Sequence, residues 1–332
     1  MPQPWTVLAL PPLGRDVLAM MFGGLEAELV VPDEHTQAAA VEAVRGADIV
    51  VGDWSGELRI SADLVAAGRR LAFVQQPSAG VDTIDVDACA AAGIPVANAG
   101  SANAVSVAEW CVGATFAVLR SLAYADREVR AGGWPQLDLA RRGGGELTGR
   151  RVGIVGMGRI GRECATRYGA LGCDVAYWSR TRRTDPAQCG GARWLEIDDL
   201  LRHAEVLVVV IGLGDASRGL LGPDRLALLP AGAYVVNAAR GGIVDEAGLL
   251  AAIQSGALAG AALDVYDAEP LPGASPLRAE DRILLSPHAA GATREAQTRL
   301  IEAVVANVRR AVGGEPVLDV VNGIDPAIRR RG

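Results

Sequence analysis

At 332 residues, half of them hydrophobic, the chain has the length of two ordinary domains, each able to bury its own core. A formal net charge of −7 gives no long-range attraction to nucleic acid or anionic lipid, which leaves small-molecule chemistry as the expected work. All 32 basic residues are arginine, and without lysine there is no Schiff-base or pyridoxal phosphate enzyme, no P-loop lysine and no Tyr-x-x-x-Lys catalytic pair.

Three histidines, at 35, 203 and 288, and five cysteines without CxxC spacing argue against metal sites and against a disulfide framework. Cys89, Cys111, Cys164, Cys173 and Cys189 read as reduced, mostly buried thiols. The longest apolar run, Val206 to Leu213, is too short to span a bilayer, and the N-terminus shows no basic stretch followed by an apolar one. A soluble cytoplasmic protein with no membrane partner is expected.

In chain order, Trp5–Leu10, Leu29–Val31, Asp48–Val51, Leu71–Val74 and Pro95–Ala97 read as short strands between helical stretches, the pattern of a parallel α/β sheet. A long apolar helix over Ser106–Leu122 follows, then an extended arm over Gly132–Gly149, rich in Gly, Arg and Pro. A second α/β series has strands at Val152–Val155, Val175–Trp178, Val206–Ile211, Ala233–Asn237, Gly260–Asp264 and Ile283–Ser286. The helical pattern Arg294–Val312 then carries the chain back to the first domain, and Arg329–Gly332 reads as a frayed, solvated tail. The expected division is 1–103 plus 290–332 and 104–289, two Rossmann-like domains, one flavodoxin-like and one dinucleotide-binding, with a cleft between them.

Within the second series, Arg151-Val-Gly-Ile-Val-Gly156-Met-Gly158-Arg-Ile-Gly161 joins a β-branched strand to a glycine turn and a helix start. Each glycine has a separate reason: Gly156 for the tight turn, Gly158 for approach of a pyrophosphate to the backbone, Gly161 for packing of helix on strand. Glycine turns are common in a chain with 41 Gly, and it is the flanking strands and helix that make this a dinucleotide site.

Three residues follow late strands, where ligands of an open sheet collect: Arg240 in Asn237-Ala-Ala-Arg-Gly-Gly, Glu269 in Asp264-Val-Tyr-Asp-Ala-Glu-Pro, and His288 in Ser286-Pro-His. Singly they read as a loop charge, a turn and a packed core histidine. As a set they supply a guanidinium for a carboxylate, an imidazole that exchanges a proton near neutral pH, and a carboxylate to orient it.

With Ser78-Ala-Gly-Val-Asp82, Asn103-Ala-Val-Ser-Val-Ala-Glu109 and Asn237 to Asp245 added, the sequence closely resembles the D-isomer-specific 2-hydroxyacid dehydrogenases along nearly its whole length. The glyoxylate and hydroxypyruvate reductase branch is the expected one, because formate dehydrogenases of the family carry Gln beside the histidine and long phosphoglycerate dehydrogenases carry a regulatory domain. The resemblance implies that Arg240 holds the substrate carboxylate, His288 is the general acid or base, and Glu269 pairs with it. It implies substrate contacts from Ala79 and Gly80 N–H groups and from Trp54, with Trp134 of the arm reaching a neighbouring subunit's site; ordinary packing is the competing reading of either tryptophan. Cofactor contacts are implied at Gly156, Gly158, Arg159, Ile160 and Gly161, at Ser179, Arg180, Thr181 and Arg183, and at Ile211, Gly212, Ala238 and Ala239. Arg240, His288 and Gly291 complete that set with Asp264, which receives the nicotinamide carboxamide in relatives or serves as a turn residue.

Two departures from the family pattern concern the cofactor. Ser179, followed by Arg180-Thr-Arg182-Arg183, stands where NAD users have an acid, which favours NADP(H) with NAD(H) still usable unless the arginines form only a solvated turn. Gly212 replaces a common Pro and is expected to loosen the adenine-side loop. The expected protein is a homodimeric, NADPH-preferring reductase of small 2-oxo acids to D-2-hydroxy acids. The alternatives are a nicotinamide-sensing corepressor-like protein and an oxidoreductase of another oxyanion such as phosphite.

Overall fold

The computed structural model describes residues 3–183 and 185–331, the side chains of Pro186 and Ala187 excepted. Contacts divide the chain into two compact units, Met1–Asn103 with Thr293–Gly332, and Ala104–Ala292.

The first unit is a five-stranded parallel sheet of β1 (Trp5–Ala9), β2 (Ala27–Val30), β3 (Ile49–Val51), β4 (Phe73–Gln75) and β5 (Val96–Ala97). Its order, β2-β1-β3-β4-β5, is that of flavodoxin-like sheets. Between the strands lie α1 (Arg15–Phe22), α2 (Gln37–Ala43), α3 (Ala62–Ala67) and α4 (Val86–Ala91). The last three start where Thr36, Ser61 and Asp85 accept a backbone N–H from the first turn, so side-chain oxygens decide where helix begins. Period-two alternation splits the core: Leu8, Val50, Val74 and Val96 face one layer of side chains, Val7, Ile49, Val51 and Phe73 the other.

The second unit opens with α5 (Ala104–Leu119), α6 (Leu122–Arg130) and α7 (Gln136–Arg142). The single helix expected over 106–122 breaks at Ser121, where φ is +48° and the axis turns by 63°. The physical reason is packing. α5 buries Val107, Ala108, Cys111 and Ala114 in the core, whereas α6 buries nothing and follows its own direction. The stretch expected as an extended arm contains α7, closed by an Asp138–Arg142 pair one turn apart and by Gly143 at φ +71°. No single helix among the described residues is long and apolar enough to cross a membrane.

A seven-stranded parallel sheet follows: β6 (Arg151–Val155), β7 (Asp174–Trp178), β8 (Arg193–Trp194), β9 (Val206–Val209), β10 (Ala233–Asn237), β11 (Leu258–Leu263) and β12 (Ile283–Leu285). Helices α8 (Arg159–Ala170), α9 (Ile197–His203), α10 (Pro223–Leu226) and α11 (Glu246–Gln254) cover it. The order β12-β11-β10-β9-β6-β7-β8 is doubly wound, and its direction reverses between β6 and β9, the switch point where ligands bind in such sheets. On the α5–α8 side the Tyr168 hydroxyl, fully buried, is satisfied by Thr115 Oγ1 at 2.6 Å and the Cys111 carbonyl at 3.0 Å.

The chain ends in the first unit with α12 (Arg294–Val312), capped by Thr293 and burying Val304, Val308 and Ala311. The tail expected to fray is held. Ile328 is buried, and the Arg330 guanidinium lies 4.8 Å from the Trp5 ring and 3.5 Å from the buried Asp48 carboxylate. Asp48, already clamped by Arg70 at 2.9 and 3.1 Å, supplies the negative charge that the docked arginine faces. Gly332 lies outside the described residues.

Candidate active site

The glycine turn occupies the carboxyl end of β6, at the switch point. Gly156 has φ +108°, and a Cβ there would sit 2.7 Å from the Val210 carbonyl oxygen and 3.0 Å from Ile211 Cα. A Cβ on Gly161 would lie 2.0 Å from the Gly156 carbonyl oxygen, so both glycines are demanded by the protein's own backbone. Gly158 is different. It is the N-cap of α8, no side chain caps that terminus, and a Cβ on it would meet nothing within 4 Å. The first-turn N–H groups of a twelve-residue helix, beside space kept clear by a glycine, fit a pyrophosphate. Arg159 is exposed there, and Ile160 packs half-buried against the core.

At the end of β7, Ser179 donates to the Thr181 carbonyl at 2.8 Å and closes the turn that carries Arg180 to Arg183, all exposed. The four basic-turn residues are not equivalent. Arg182 lies over the Trp194 ring at 5.2 Å, and the backbone N–H of Arg183 donates to the Tyr177 hydroxyl at 3.0 Å. On the other side of the switch point, the loop through Ile211 and Gly212 is not slack despite the missing proline. Buried Ser217 donates to the Gly212 carbonyl at 2.8 Å and accepts from the Gly214 N–H at 2.9 Å.

The three late loops converge. Asn237, buried at the end of β10, accepts the Ala239 N–H at 3.1 Å and so shapes Ala238–Arg240; the Arg240 side chain donates to the Ala239 carbonyl at 2.7 Å. Gly241 follows because a Cβ there would fall 2.0 Å from the Tyr266 carbonyl oxygen, in the loop after β11. In that loop the Glu269 carboxylate accepts the Tyr266 N–H at 2.9 Å and, through its other oxygen, the His288 Nδ1–H at 2.7 Å.

His288 sits in the left-handed region, φ +52°, a conformation costly for a residue with a Cβ. Asp264 holds it there. Its buried carboxylate accepts from Ser286 Oγ at 2.5 Å and from the Ala289 and Ala290 N–H groups at 2.8 Å each, so it wraps the turn around the histidine and leads into Gly291. Motif reading singled out neither Asn237, Ser286 nor Asp267; the only signal for them is that Asn, Ser and Asp after a strand satisfy turn N–H groups.

In the first unit, the loop after β4 has all three of its Ser78, Ala79 and Gly80 carbonyls engaged, by the Ala99 N–H, the Asn98 side chain and the Ser78 hydroxyl. With these carbonyls turned to internal donors, the Ala79 and Gly80 N–H groups have the sign a carboxylate needs. Trp54 is 42% exposed on a loop pinned by buried Asp53, which accepts from Ser55 and from the Leu58 N–H. Trp134 of the second unit is 80% exposed.

Burial alone raises the Glu269 carboxyl, but hydrogen bonds from His288 and the Tyr266 N–H, with the charges of His288 and Arg240, more than offset it and the net shift is downward. A carboxylate with a lowered folded-state pKa contributes stability above its unfolded value, near 4.5, and loses it as pH falls through the lower folded value. Glu269→Gln is therefore expected to be less stable than the parent chain at neutral pH, with the gap closing in acid. Denaturant titrations at stepped pH check this, and a gap that stays constant into acid removes the ion pair from the account.

Residues 112–290 match the D-isomer specific 2-hydroxyacid dehydrogenase, NAD binding domain. The chain is 33% identical, over 97% of its length, to the D-3-phosphoglycerate dehydrogenase of Archaeoglobus fulgidus, of which it spans 60%. It is 36% identical to the glyoxylate reductase of Aeropyrum pernix over 82% of this chain and 83% of that protein. The solved NADPH-dependent glyoxylate/hydroxypyruvate reductase from Sinorhizobium meliloti, in complex with NADP and malonate, is similar with a TM-score of 0.83 at 27% identity over 99% of each chain. The chain thus spans 49–60% of the length of the phosphoglycerate dehydrogenases it matches and most of the glyoxylate reductase. With a matching nucleotide domain and identity at this level over both units, the chain belongs to the D-isomer-specific 2-hydroxyacid dehydrogenase family.

Proposed function

We propose that the protein is an NADPH-preferring reductase of small 2-oxo acids to D-2-hydroxy acids. The observation that carries this reading is the 2.7 Å His288–Glu269 pair, beside the Arg240 loop and at the same end of one sheet as the glycine turn. When bound, the reduced nicotinamide supplies the hydride. Glu269 fixes the His288 ring through Nδ1, which leaves Nε2 as the atom that gives its proton to the carbonyl oxygen. Arg240 holds the substrate carboxylate and draws charge from the carbonyl. In the first unit, the Ala79 and Gly80 N–H groups are donors of the kind a carboxylate takes, and Trp54 offers an exposed ring of the kind a substrate side chain packs on.

The test is reduced-nicotinamide absorbance with glyoxylate, hydroxypyruvate, pyruvate and bulkier 2-oxo acids, and with 3-phosphoglycerate in the oxidative direction. His288→Ala is expected to lower the rate roughly 10²- to 10⁴-fold with dinucleotide binding little changed. Arg240→Ala is expected to raise KM and lower kcat together. A His288→Ala protein with near-native turnover removes the histidine from the reaction.

Cofactor choice rests on Ser179 and the arginines. Because Arg182 is engaged with Trp194, Arg180 and Arg183 are the proposed partners of a 2′-phosphate. One charge-assisted bond of about 1.5–3 kcal/mol corresponds to a preference of about tenfold or more for NADPH. Ser179→Asp with Arg180→Ala is expected to reverse it, measured as the ratio of kcat/KM with the two cofactors. A parent enzyme that favours NADH overturns the assignment.

A homodimer accompanies this reading. Leu122, Val129, Trp134 and Leu137 stand 49–80% exposed on α6, α7 and their link. An apolar surface of this kind fits an isologous contact with a second copy. Light scattering at micromolar concentration is expected to give twice the chain mass; a monomer mass refutes the dimer and Trp134's reach into a neighbour.

A further inference from the structure

The loops carrying Arg240 and Glu269 are joined by a ring of hydrogen bonds that the proposed chemistry does not itself use. The Asp267 side chain accepts the Gly242 N–H at 2.6 Å, and the Asp267 backbone N–H donates to Glu246 Oε1 at 2.7 Å. Gly242 and Glu246 lie on one segment, the Arg240 loop and the first residue of α11, whose N-cap is Asp245. Asp267 thus gives one hydrogen bond to that segment and takes one from it. The two loops also touch at Gly241, where only a glycine admits the Tyr266 carbonyl.

Burial raises the Glu246 carboxyl, the hydrogen bond from the Asp267 N–H lowers it, and the charges of Asp267, Asp245 and Glu269 raise it, for a net upward shift. Asp267 and Glu246 touch no proposed reacting group. Their directional use is to fix the Arg240 segment against the loop that ends in Glu269, whose carboxylate in turn aims His288.

We propose that Asp267 and Glu246 are positioning residues, a clasp that sets the register between the Arg240 guanidinium and the Glu269–His288 pair. The proposal rests on the reading of Arg240 and His288 given above. A reaction that needs the carboxylate anchor and the proton donor on one substrate is sensitive to that register, since misplacement by about 1 Å can cost about 10²-fold in rate. The turn after β6 and the basic turn after β7, the expected holds on the pyrophosphate and the ribose, take no bond from the clasp; Ala238, Ala239 and Arg240 lie on the clasped segment.

The experiment compares Asp267→Ala and Glu246→Ala with Asp267→Asn and Glu246→Gln, which keep an oxygen acceptor at the same place. The alanine variants are expected to lose about 10- to 100-fold in kcat/KM for glyoxylate, through a higher KM and a lower kcat, with NADPH affinity by fluorescence titration within about twofold. The amide variants are expected to recover most of the loss. In the protein without substrate, amide exchange is expected to quicken at Gly242 in Asp267→Ala and at Asp267 in Glu246→Ala. Unchanged kcat/KM in the alanine variants, equal loss in alanine and amide variants, or unchanged exchange at both amides overturns the clasp. Should the parent protein reduce no 2-oxo acid, the functional reading falls, and the exchange measurement still decides whether the ring holds the two loops.

Discussion

Parallel pairing of β10, β11 and β12 is the constraint on which the site depends. Asn237 pairs with Leu263 and Leu263 with Leu285, so three strands stop at one level within about 10 Å of each other. The ladder runs one step further through the Asp264, Ser286 and His288 N–H groups, which donate to the Asn237, Leu263 and Asp264 carbonyls. Arg240 follows its strand by three residues and His288 does the same, so backbone pairing alone brings a cation and an imidazole to the same sheet end. Glu269 comes from six residues beyond β11, and that longer path is the one that needs side chains to fix it.

The same logic separates the glycines. Gly156, Gly161 and Gly241 are required because backbone lies where a Cβ would be, so they serve the fold first. Gly158 and Gly212 border open space, and their lack of a side chain has no internal explanation. A sequence motif treats all such glycines alike; the geometry divides them into those that close the protein on itself and those that keep a place clear.

Elements whose signals are local were legible in the sequence. The bounds expected for β10, Ala233–Asn237, and α12, Arg294–Val312, are those observed, because an apolar β-branched run and a Thr cap with helical periodicity each act within a few residues. The chain's departures are long-range or lack a residue-type signal. Ser121 breaks a helix with a positive φ that serine does not announce, and β8 is two residues long. The docking of Arg330 depends on Trp5 and Asp48, some three hundred positions away, and the setting of Arg182 depends on Trp194. Asp267 was illegible for another reason: an exposed acid in a loop reads as solvated until the N–H groups around it are known.

The left-handed backbone of His288 places stability and chemistry in opposition at one residue. Glycine relieves such a conformation and asparagine tolerates it better than most side chains, so either replacement removes backbone strain, at the loss of the bond between His288 and Glu269. Neither carries a group that exchanges a proton near neutral pH. The three hydrogen bonds that Asp264 accepts around this turn contain the strain at 288, and what that backbone secures is an imidazole at the end of the sheet.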